Sequence, residues 1–263
     1  MVIAVIIAGA SLGALGLFFA LGLGIASKVF AVEVDPKVQA IDEALPGANC
    51  GACGYPGCSG FAKAVVAGEA EVNGCIAGGH EVADAIAKIM GVEAGKVEAQ
   101  IAKVMCYYAG CAPPKFEYVG VDTCRAASLL HGGSKLCSYA CLGLGSCQAV
   151  CPFEAISHED GRIKVDQEKC TGCGKCVNIC PREVITLVPK KSKVHILCNS
   201  HDKGKAVKEI CEFGCIGCAA CKKVCEAEAI ILDNFLAKID YQKCTECKTC
   251  VGKCPTGSIV VSS

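Results

Sequence analysis

Cysteines at ligand-like spacing are the residues of this sequence that could do chemistry. The chain has 25 cysteines among 263 residues. Residues 215–225 and 244–254 each read C-x2-C-x2-C-x3-C, and a proline follows Cys254. Three thiolates on such a turn can hold three corners of one [4Fe-4S] cluster, while the fourth ligates the cluster of the other run. The two runs therefore predict two clusters with crossed ligands, and electron transfer is the chemistry that such clusters perform.

A second pair of runs comes earlier in the sequence, at 137–151 and 170–180. The run at 170–180 has the regular spacing, whereas the run at 137–151 is looser and reads C-x3-C-x5-C-x3-C. The same number of residues separates the two runs of each pair, which indicates an internal repeat of a bacterial two-cluster ferredoxin module. Crossed ligation then assigns four clusters. Their predicted ligand sets are Cys137, Cys141, Cys147 and Cys180; Cys170, Cys173, Cys176 and Cys151; Cys215, Cys218, Cys221 and Cys254; and Cys244, Cys247, Cys250 and Cys225.

Four cysteines nearer the amino terminus form a separate group with the spacing C-x2-C-x4-C-x16-C. This group supplies the four thiolates that one [4Fe-4S] cluster requires. A structural zinc ion binds the same kind of ligand set, so zinc stays open as an alternative. The ferredoxin-like runs elsewhere in the same chain favour an iron–sulfur cluster. The predicted ligands are Cys50, Cys53, Cys58 and Cys75.

Five cysteines lie outside these sets. A sixth [4Fe-4S] cluster built from Cys106, Cys124, Cys198 and Cys211 would use all of them except Cys111. Buried thiols or a zinc site are the alternatives for this group. With this group included, we expect about six [4Fe-4S] clusters.

The amino-terminal segment can anchor these sites to a membrane. Residues 1–27 carry no charge, and the first charged residue is Lys28. A segment of this length can span the hydrocarbon core as one helix, and the positive region that opens a cleaved signal peptide is missing. Gly9 and Gly13 would let other membrane helices approach closely. Because iron–sulfur ligands persist on the reducing side, we expect a single pass through the cytoplasmic (inner) membrane, with the cysteine domains on the cytoplasmic side.

The predicted fold class is α+β. Asp35 and Pro36 indicate the start of a short helix, and apolar residues recur at helical spacing on both sides of Cys75. Short apolar stretches after Cys151 and Cys225 predict strands that lead to the next runs. The predicted domains are a transmembrane anchor at 1–27, a small helical four-cysteine [4Fe-4S] domain at 28–92, a linker with candidate ligands at 93–136, ferredoxin-like module 1 at 137–187, a cysteine-bearing insert at 188–211 and ferredoxin-like module 2 at 212–263.

Other classes of function leave no signature in this sequence. The net charge is zero, which gives no electrostatic case for binding nucleic acid. No G-x-G-x-x-G after a strand, no P-loop and no catalytic constellation occurs, so no catalytic site of its own is expected. Lysines of module 2 form either an ordinary solvated face or a docking face for an acidic electron donor. They are Lys222, Lys223, Lys243, Lys248 and Lys253.

The order of these parts resembles the B subunits of Rnf electron-transport complexes, over essentially the whole chain. The resemblance rests on the apolar segment, the four-cysteine group at 50–75 and the tandem modules. It also rests on motifs of the longer, multi-cluster members of that family. These motifs are Cys141-Leu-Gly-Leu-Gly-Ser-Cys147, Cys151-Pro-Phe-Glu-Ala-Ile and Gly214-Cys215-Ile-Gly-Cys218.

This resemblance implies a component of a membrane complex that passes electrons between reduced ferredoxin and NAD, coupled to transport of sodium ions or protons. The protein would take electrons from reduced ferredoxin and hand them to redox groups of the membrane subunits, with NAD and flavin on other subunits. Two alternatives stay open. One is a polyferredoxin component of another membrane oxidoreductase, such as a hydrogenase or dehydrogenase complex, and the other is a structural zinc-binding interaction protein.

Overall fold

A long apolar helix opens the chain. The computed structural model describes residues 2–30, 35–95, 98–107, 109–159 and 161–262, so residues 31–34 of the predicted helical domain at 28–92 lie outside the described residues. Helix α1 (Val2–Val29) contains a stretch, Gly9–Val29, that is long and apolar enough to cross a bilayer. None of that stretch is buried within the chain, and Leu12 and Phe18 are exposed on it. An apolar helix without protein cover suits lipid or partner helices, as the predicted anchor requires.

Three helices form a small domain after the anchor: α2 (Pro36–Ala44), α3 (Cys58–Val66) and α4 (Gly79–Met90). Helix α2 begins at its predicted residue because the Lys37 N–H donates a 2.8 Å hydrogen bond to Asp35 Oδ1 and Pro36 takes the first helical position. The helices bury Ile41, Phe61 and Ile86 against one another. This apolar core supports the cysteine loop that precedes α3.

Four strands and three short helices surround the runs at 137–180. The strands are β1 (Gln100–Val104), β2 (Ile156–Glu159), β3 (Arg162–Val165) and β4 (Ile185–Pro189). Strand β1 pairs antiparallel with β4, with buried Ile101 opposite buried Val188, and β2 pairs with β3 as a hairpin. The helices are α5 (Cys124–Leu129), α6 (Ser146–Ala149) and α7 (Lys175–Ile179).

The same arrangement recurs around the runs at 215–254. The strands are β5 (Val194–Ile196), β6 (Ile230–Asp233), β7 (Leu236–Ile239) and β8 (Ile259–Val261). Strand β5 pairs antiparallel with β8, and β6 pairs with β7 as a hairpin. The helices are α8 (Gly204–Ile210), α9 (Ala220–Lys223) and α10 (Thr249–Lys253).

Each repeat is therefore closed by a strand that precedes its cysteine runs. Strand β1 lies in the segment predicted as a linker, and β5 lies in the segment predicted as an insert. The predicted module starts at residues 137 and 212 leave both strands out. The strands are only five and three residues long, and each pairs with a strand that follows the second cysteine run of its repeat. Cysteine spacing carries no signal of such distant pairing.

Candidate iron–sulfur sites

The four cysteines of the amino-terminal group line one cavity, which we call the amino-terminal site (Cys50, Cys53, Cys58 and Cys75). Helix α3 begins at Cys58, whose N–H donates a 2.8 Å hydrogen bond to Asn49 Oδ1 and so ties the loop to the helix start. Burial raises the pKa of the Cys75 thiol, and the other three cysteines raise it further because like charges repel. Bound iron would relieve that penalty by ligating the thiolates. The donor set and the cavity therefore fit a [4Fe-4S] cluster.

Four cysteines of the second run and the end of the first form site B (Cys151, Cys170, Cys173 and Cys176). Burial and the charges of the other three members together raise the pKa of Cys176 to about 11, so all four cysteines lie in one neighbourhood. Two of the sulfurs accept hydrogen bonds from backbone N–H groups. The Ala102 nitrogen lies 3.3 Å from Cys170 Sγ, and the Ala155 nitrogen lies 3.4 Å from Cys151 Sγ. Such N–H donors stabilise thiolate charge and raise the potential of a bound cluster. These are the four cysteines that crossed ligation groups together.

The looser run contributes to site A (Cys124, Cys141, Cys147 and Cys180). These four cysteines line one cavity together with Arg182. Counted from Cys141 at regular spacing, the second ligand position falls on Leu144, which has no thiol. Cys124 lines the cavity as its fourth cysteine instead. It sits at the start of α5, where its N–H donates a 2.8 Å hydrogen bond to Ser146 Oγ.

The predicted member of that set, Cys137, lies elsewhere. It lines a separate cavity with Cys106, Cys111, Cys198 and Cys211, which we call the bridging cavity. Relative to the sequence prediction, the structure thus exchanges the places of Cys124 and Cys137. The signal that could have revealed the exchange is the leucine at the missing ligand position of the looser run, because the other three positions of a regular run from Cys141 are all cysteines.

The last two sites combine the runs at 215–225 and 244–254. Site C is a cavity whose cysteines are Cys215, Cys218, Cys221 and Cys254. In site D, burial raises the pKa of Cys250, and the neighbouring Cys247, Cys244 and Cys225 raise it further. Each site therefore takes three cysteines from one run and the fourth from the other, as crossed ligation predicts. Cys218 and Cys247 are exposed at the protein surface.

Neighbouring sites approach one another through single cysteines. In site B, burial raises the pKa of Cys173, and Cys50 of the amino-terminal site adds to that rise. In site A, burial and the charges of neighbouring cysteines raise the pKa of Cys147 to about 12, and Cys176 of site B is one of those neighbours. The amino-terminal site, site B and site A therefore follow one another in space.

The bridging cavity continues this succession. Burial raises the pKa of its Cys106 to about 12, and Cys141 of site A lies beside it. Burial likewise raises the pKa of Cys198 to about 11, and Cys215 of site C is its neighbour. The bridging cavity thus lies between site A of one module and site C of the other, and site D follows site C through their shared runs.

Sequence reasoning missed two charged side chains beside these sites. The first is Arg182, which donates hydrogen bonds to the Ser138 and Gly132 carbonyl oxygens and lies near Cys137 and Cys180. Of these four neighbours, only Cys180 is close to Arg182 in the sequence. The position of Arg182 directly after the Cys-Pro pair that ends the run at 170–180 is its one local signal.

The second missed side chain, Glu246, lies in the last run. Its Oε2 accepts hydrogen bonds from the Lys193 and Val194 N–H groups at 3.1 and 3.0 Å, and its Oε1 lies 4.0 Å from Cys244 Sγ.

Within the described ranges, no three His, Cys, Asp or Glu side chains are close enough to share a single metal ion.

Three family models match the chain, and each describes iron–sulfur binding. "Putative Fe-S cluster" matches residues 45–77, which contain the amino-terminal site. "4Fe-4S binding domain" matches residues 163–186, and "4Fe-4S dicluster domain" matches residues 214–259. The three matches bear out iron–sulfur binding in the small helical domain and in both repeats.

Relatives from three organisms align over nearly the whole chain. The B subunit of the Na(+)-translocating ferredoxin:NAD(+) oxidoreductase complex of Acetobacterium woodii is 49% identical over 94% of this chain and 75% of its own length. The B subunit of the ion-translocating oxidoreductase complex of Methanosarcina acetivorans is 46% identical over 93% and 94%, respectively. The B subunit of the proton-translocating ferredoxin:NAD(+) oxidoreductase complex of Clostridium ljungdahlii is 47% identical over 93% and 88%. The chain belongs to this family, the B subunits of ion-translocating (Rnf) oxidoreductase complexes.

Proposed function

We propose that this protein is the membrane-associated electron-transfer subunit of an Rnf-type ion-translocating ferredoxin:NAD(+) oxidoreductase. Its [4Fe-4S] clusters supply one-electron redox chemistry, and the protein supplies their ligands, their spacing and the surroundings that tune their potentials. The observation that carries this proposal is the unbroken succession of cysteine sites from the amino-terminal domain to module 2. Because electron tunnelling slows steeply with distance, a close succession of sites suits an electron-transfer path.

We also propose the ligand sets of these clusters, on the grouping of their cysteines in space. We assign the amino-terminal site, site B, site C and site D their predicted cysteines, and we assign site A the thiol of Cys124 in place of Cys137. We take the two ferredoxin-like modules to extend from β1 to β4 and from β5 to β8, because those strands pair with each other.

We further infer that electrons enter at module 2 and leave at the amino-terminal site. Site D ends the succession, and its Cys247 is exposed where a donor could approach. The amino-terminal site ends the succession on the other side and follows the membrane helix in the chain. The electrons would pass from there to redox groups of membrane subunits, while NAD and flavin belong to other subunits.

Reduced ferredoxin is the donor that we propose, and the lysines of module 2 are its docking face. Lys222, Lys223 and Lys248 are exposed, and so are Lys243 and Lys253. Ferredoxins are commonly acidic, so these positive charges would steer the encounter and make it sensitive to salt. The cysteine domains would lie on the cytoplasmic side of the membrane, where ferredoxin is present.

Charge reversal tests the docking face and the donor together. We expect Lys222→Glu/Lys223→Glu to raise the apparent KM for reduced ferredoxin and to weaken its salt dependence, because both charges fall on the donor's approach to sites C and D. The assay follows reduction of the purified full-length protein by reduced ferredoxin, through bleaching of its visible absorbance. Lys63→Glu/Lys88→Glu is the matched control, since it makes the same change of charge at exposed positions of the helical domain. An equal rise in both variants would refute a specific docking face, and failure of reduced ferredoxin to bleach the unmodified protein would refute the donor.

A further inference from the structure

We propose that Cys106, Cys137, Cys198 and Cys211 hold a sixth [4Fe-4S] cluster that the two ferredoxin-like modules share equally, and we call this the bridging site. The inference rests on the proposed function, because it assumes a chain that binds iron–sulfur clusters. All four cysteines line the bridging cavity. None of the four lies in a residue range that matches a family model.

Equivalent positions of the two modules supply the four thiols. Cys106 is the second residue after β1, and Cys198 is the second residue after β5. Cys137 precedes the first cysteine of site A in the looser run by the same number of residues as Cys211 precedes the first cysteine of site C. Each module therefore contributes one thiol after its first strand and one before its first run. A site with two equivalent ligands from each of two repeats is what a cluster on a pseudo-two-fold axis requires.

The fifth cysteine of the cavity breaks this equivalence. Cys111 lines the bridging cavity, but the residue at the corresponding distance after Cys198 is Lys203. A cubane takes four protein ligands. The equivalence of the modules therefore selects the other four cysteines over Cys111.

Aromatic pairs join the modules around the same cavity. Tyr107, next to Cys106, stacks on Phe213 of the other module with ring centroids 4.1 Å apart and planes 4° apart. Tyr139 of module 1 meets His201 of module 2 edge to face, with centroids 5.7 Å apart. Both pairs cross from one module to the other beside the ligands. Such ring contacts stabilise the packing of the two modules next to the bridging site.

A guanidinium group offsets the charge of the thiolates. Arg182 lies beside Cys137 of the bridging site and Cys180 of site A, and its backbone carbonyl accepts a 3.3 Å hydrogen bond from Asn199 Nδ2 of module 2. A positive charge between two clusters favours the reduced form of each. Arg182 thus serves the bridging site and site A together.

The location of the bridging site gives it a place in the electron path. Its Cys106 neighbours Cys141 of site A, and its Cys198 neighbours Cys215 of site C. The cluster would accept one electron from site C and pass one electron to site A, with each iron–sulfur group returning to its starting state. Electrons that enter module 2 would therefore reach module 1 through this cluster.

Iron counting in paired variants of the full-length protein tests the ligand set. We expect Cys137→Ala, Cys211→Ala and Cys124→Ala each to lose about four irons per chain, and Cys111→Ala to lose none. Cys137→Ala/Cys211→Ala should also lose only about four, because both residues ligate one cluster, whereas Cys124→Ala/Cys211→Ala should lose about eight, because they ligate two. A loss of only about four irons in the second pair, or an undiminished count in Cys137→Ala with a loss in Cys111→Ala, would overturn the proposal.

Serine variants keep the test decisive where an alanine variant fails to fold. Serine supplies an oxygen ligand in place of the cysteine sulfur, so the cluster can stay bound with an altered electron paramagnetic resonance signal. Cys137→Ser and Cys211→Ser should alter the same signal, and Cys124→Ser a different one; a common signal for Cys124→Ser and Cys211→Ser would overturn the ligand set. If the unmodified protein holds zinc and little sulfide, the proposed function itself fails. If it holds about 20 irons and neither Cys137→Ala nor Cys211→Ala lowers that number, the bridging site alone fails.

Discussion

Glu246 lies beside site D, and neutralising its carboxylate should raise the reduction potential of the cluster there. Its Oε1 lies 4.0 Å from Cys244 Sγ, and its Oε2 accepts hydrogen bonds from the Lys193 and Val194 N–H groups. Reduction adds negative charge to the cluster, so a neighbouring carboxylate opposes it. Glu246→Gln removes that charge and keeps an oxygen that can accept the same hydrogen bonds.

The expected size of the change follows from the separation of the two atoms. Two unit charges at that distance interact by about 4 kcal/mol at an effective dielectric constant of about 20, and by about 1 kcal/mol in bulk water. The added electron spreads over the cubane, so roughly a quarter of it resides at the corner that Cys244 ligates. The repulsion is then about 0.3 to 1 kcal/mol. A one-electron potential shifts by about 59 mV for a tenfold change in equilibrium constant, so we expect a rise of about 10 to 45 mV.

Potentiometric titration of the full-length protein, followed by electron paramagnetic resonance, measures this shift. Glu43→Gln is the matched control, because it removes the same charge from an exposed position on α2. We expect one signal to move to higher potential in Glu246→Gln and none to move in the control. An unchanged or lower potential for every signal in Glu246→Gln would refute the electrostatic reasoning.

Two further predictions concern module 2. Gly217 has a φ of +65°, and a Cβ there would come 2.7 Å from the Phe235 carbonyl oxygen, so Gly217→Ala should destabilise the module by about 1–3 kcal/mol. Gly252→Ala in α10 is its control, because a Cβ there meets nothing within 4 Å, and the midpoint of thermal bleaching should fall only in the first variant. Burial, together with the nearby positive charge of Lys103, lowers the pKa of His195 from 6.5 to about 4. The unfolded chain binds this proton at a higher pH than the folded chain does. The free energy of unfolding should therefore fall by up to about 3 kcal/mol as the pH drops from 6.5 to about 4. His195→Gln should show a shallower pH dependence of its denaturation midpoint, and an identical dependence would contradict the assignment.

The local parts of the sites could be predicted from the sequence. A regular run places three thiolates around one cubane by its spacing alone, so the cysteines of sites B, C and D lie together as their spacing indicates. Helix α2 begins at the residue that Asp35 and Pro36 indicate, because capping depends on neighbours in the chain.

The parts that depend on distant contacts could not be predicted. Nothing near Cys124 indicates that it meets Cys141 and Cys147 rather than Cys198, since that choice depends on how the loop after β1 returns to α6. Cys137 stands at one end of a loose run, so counting the run from its first cysteine includes it, and only the regular spacing counted from Cys141 leaves it out. The short strands β1 and β5 could not be predicted for the same reason, because their partners lie beyond the cysteine runs.

The iron, acid-labile sulfide and zinc contents of the anaerobically purified full-length protein test the central claim most directly. Six [4Fe-4S] clusters predict about 24 irons per chain and as much sulfide, with negligible zinc. That result would agree with a chain whose cysteines form a path for electrons. Substantial zinc with little sulfide would contradict the electron-transfer function altogether.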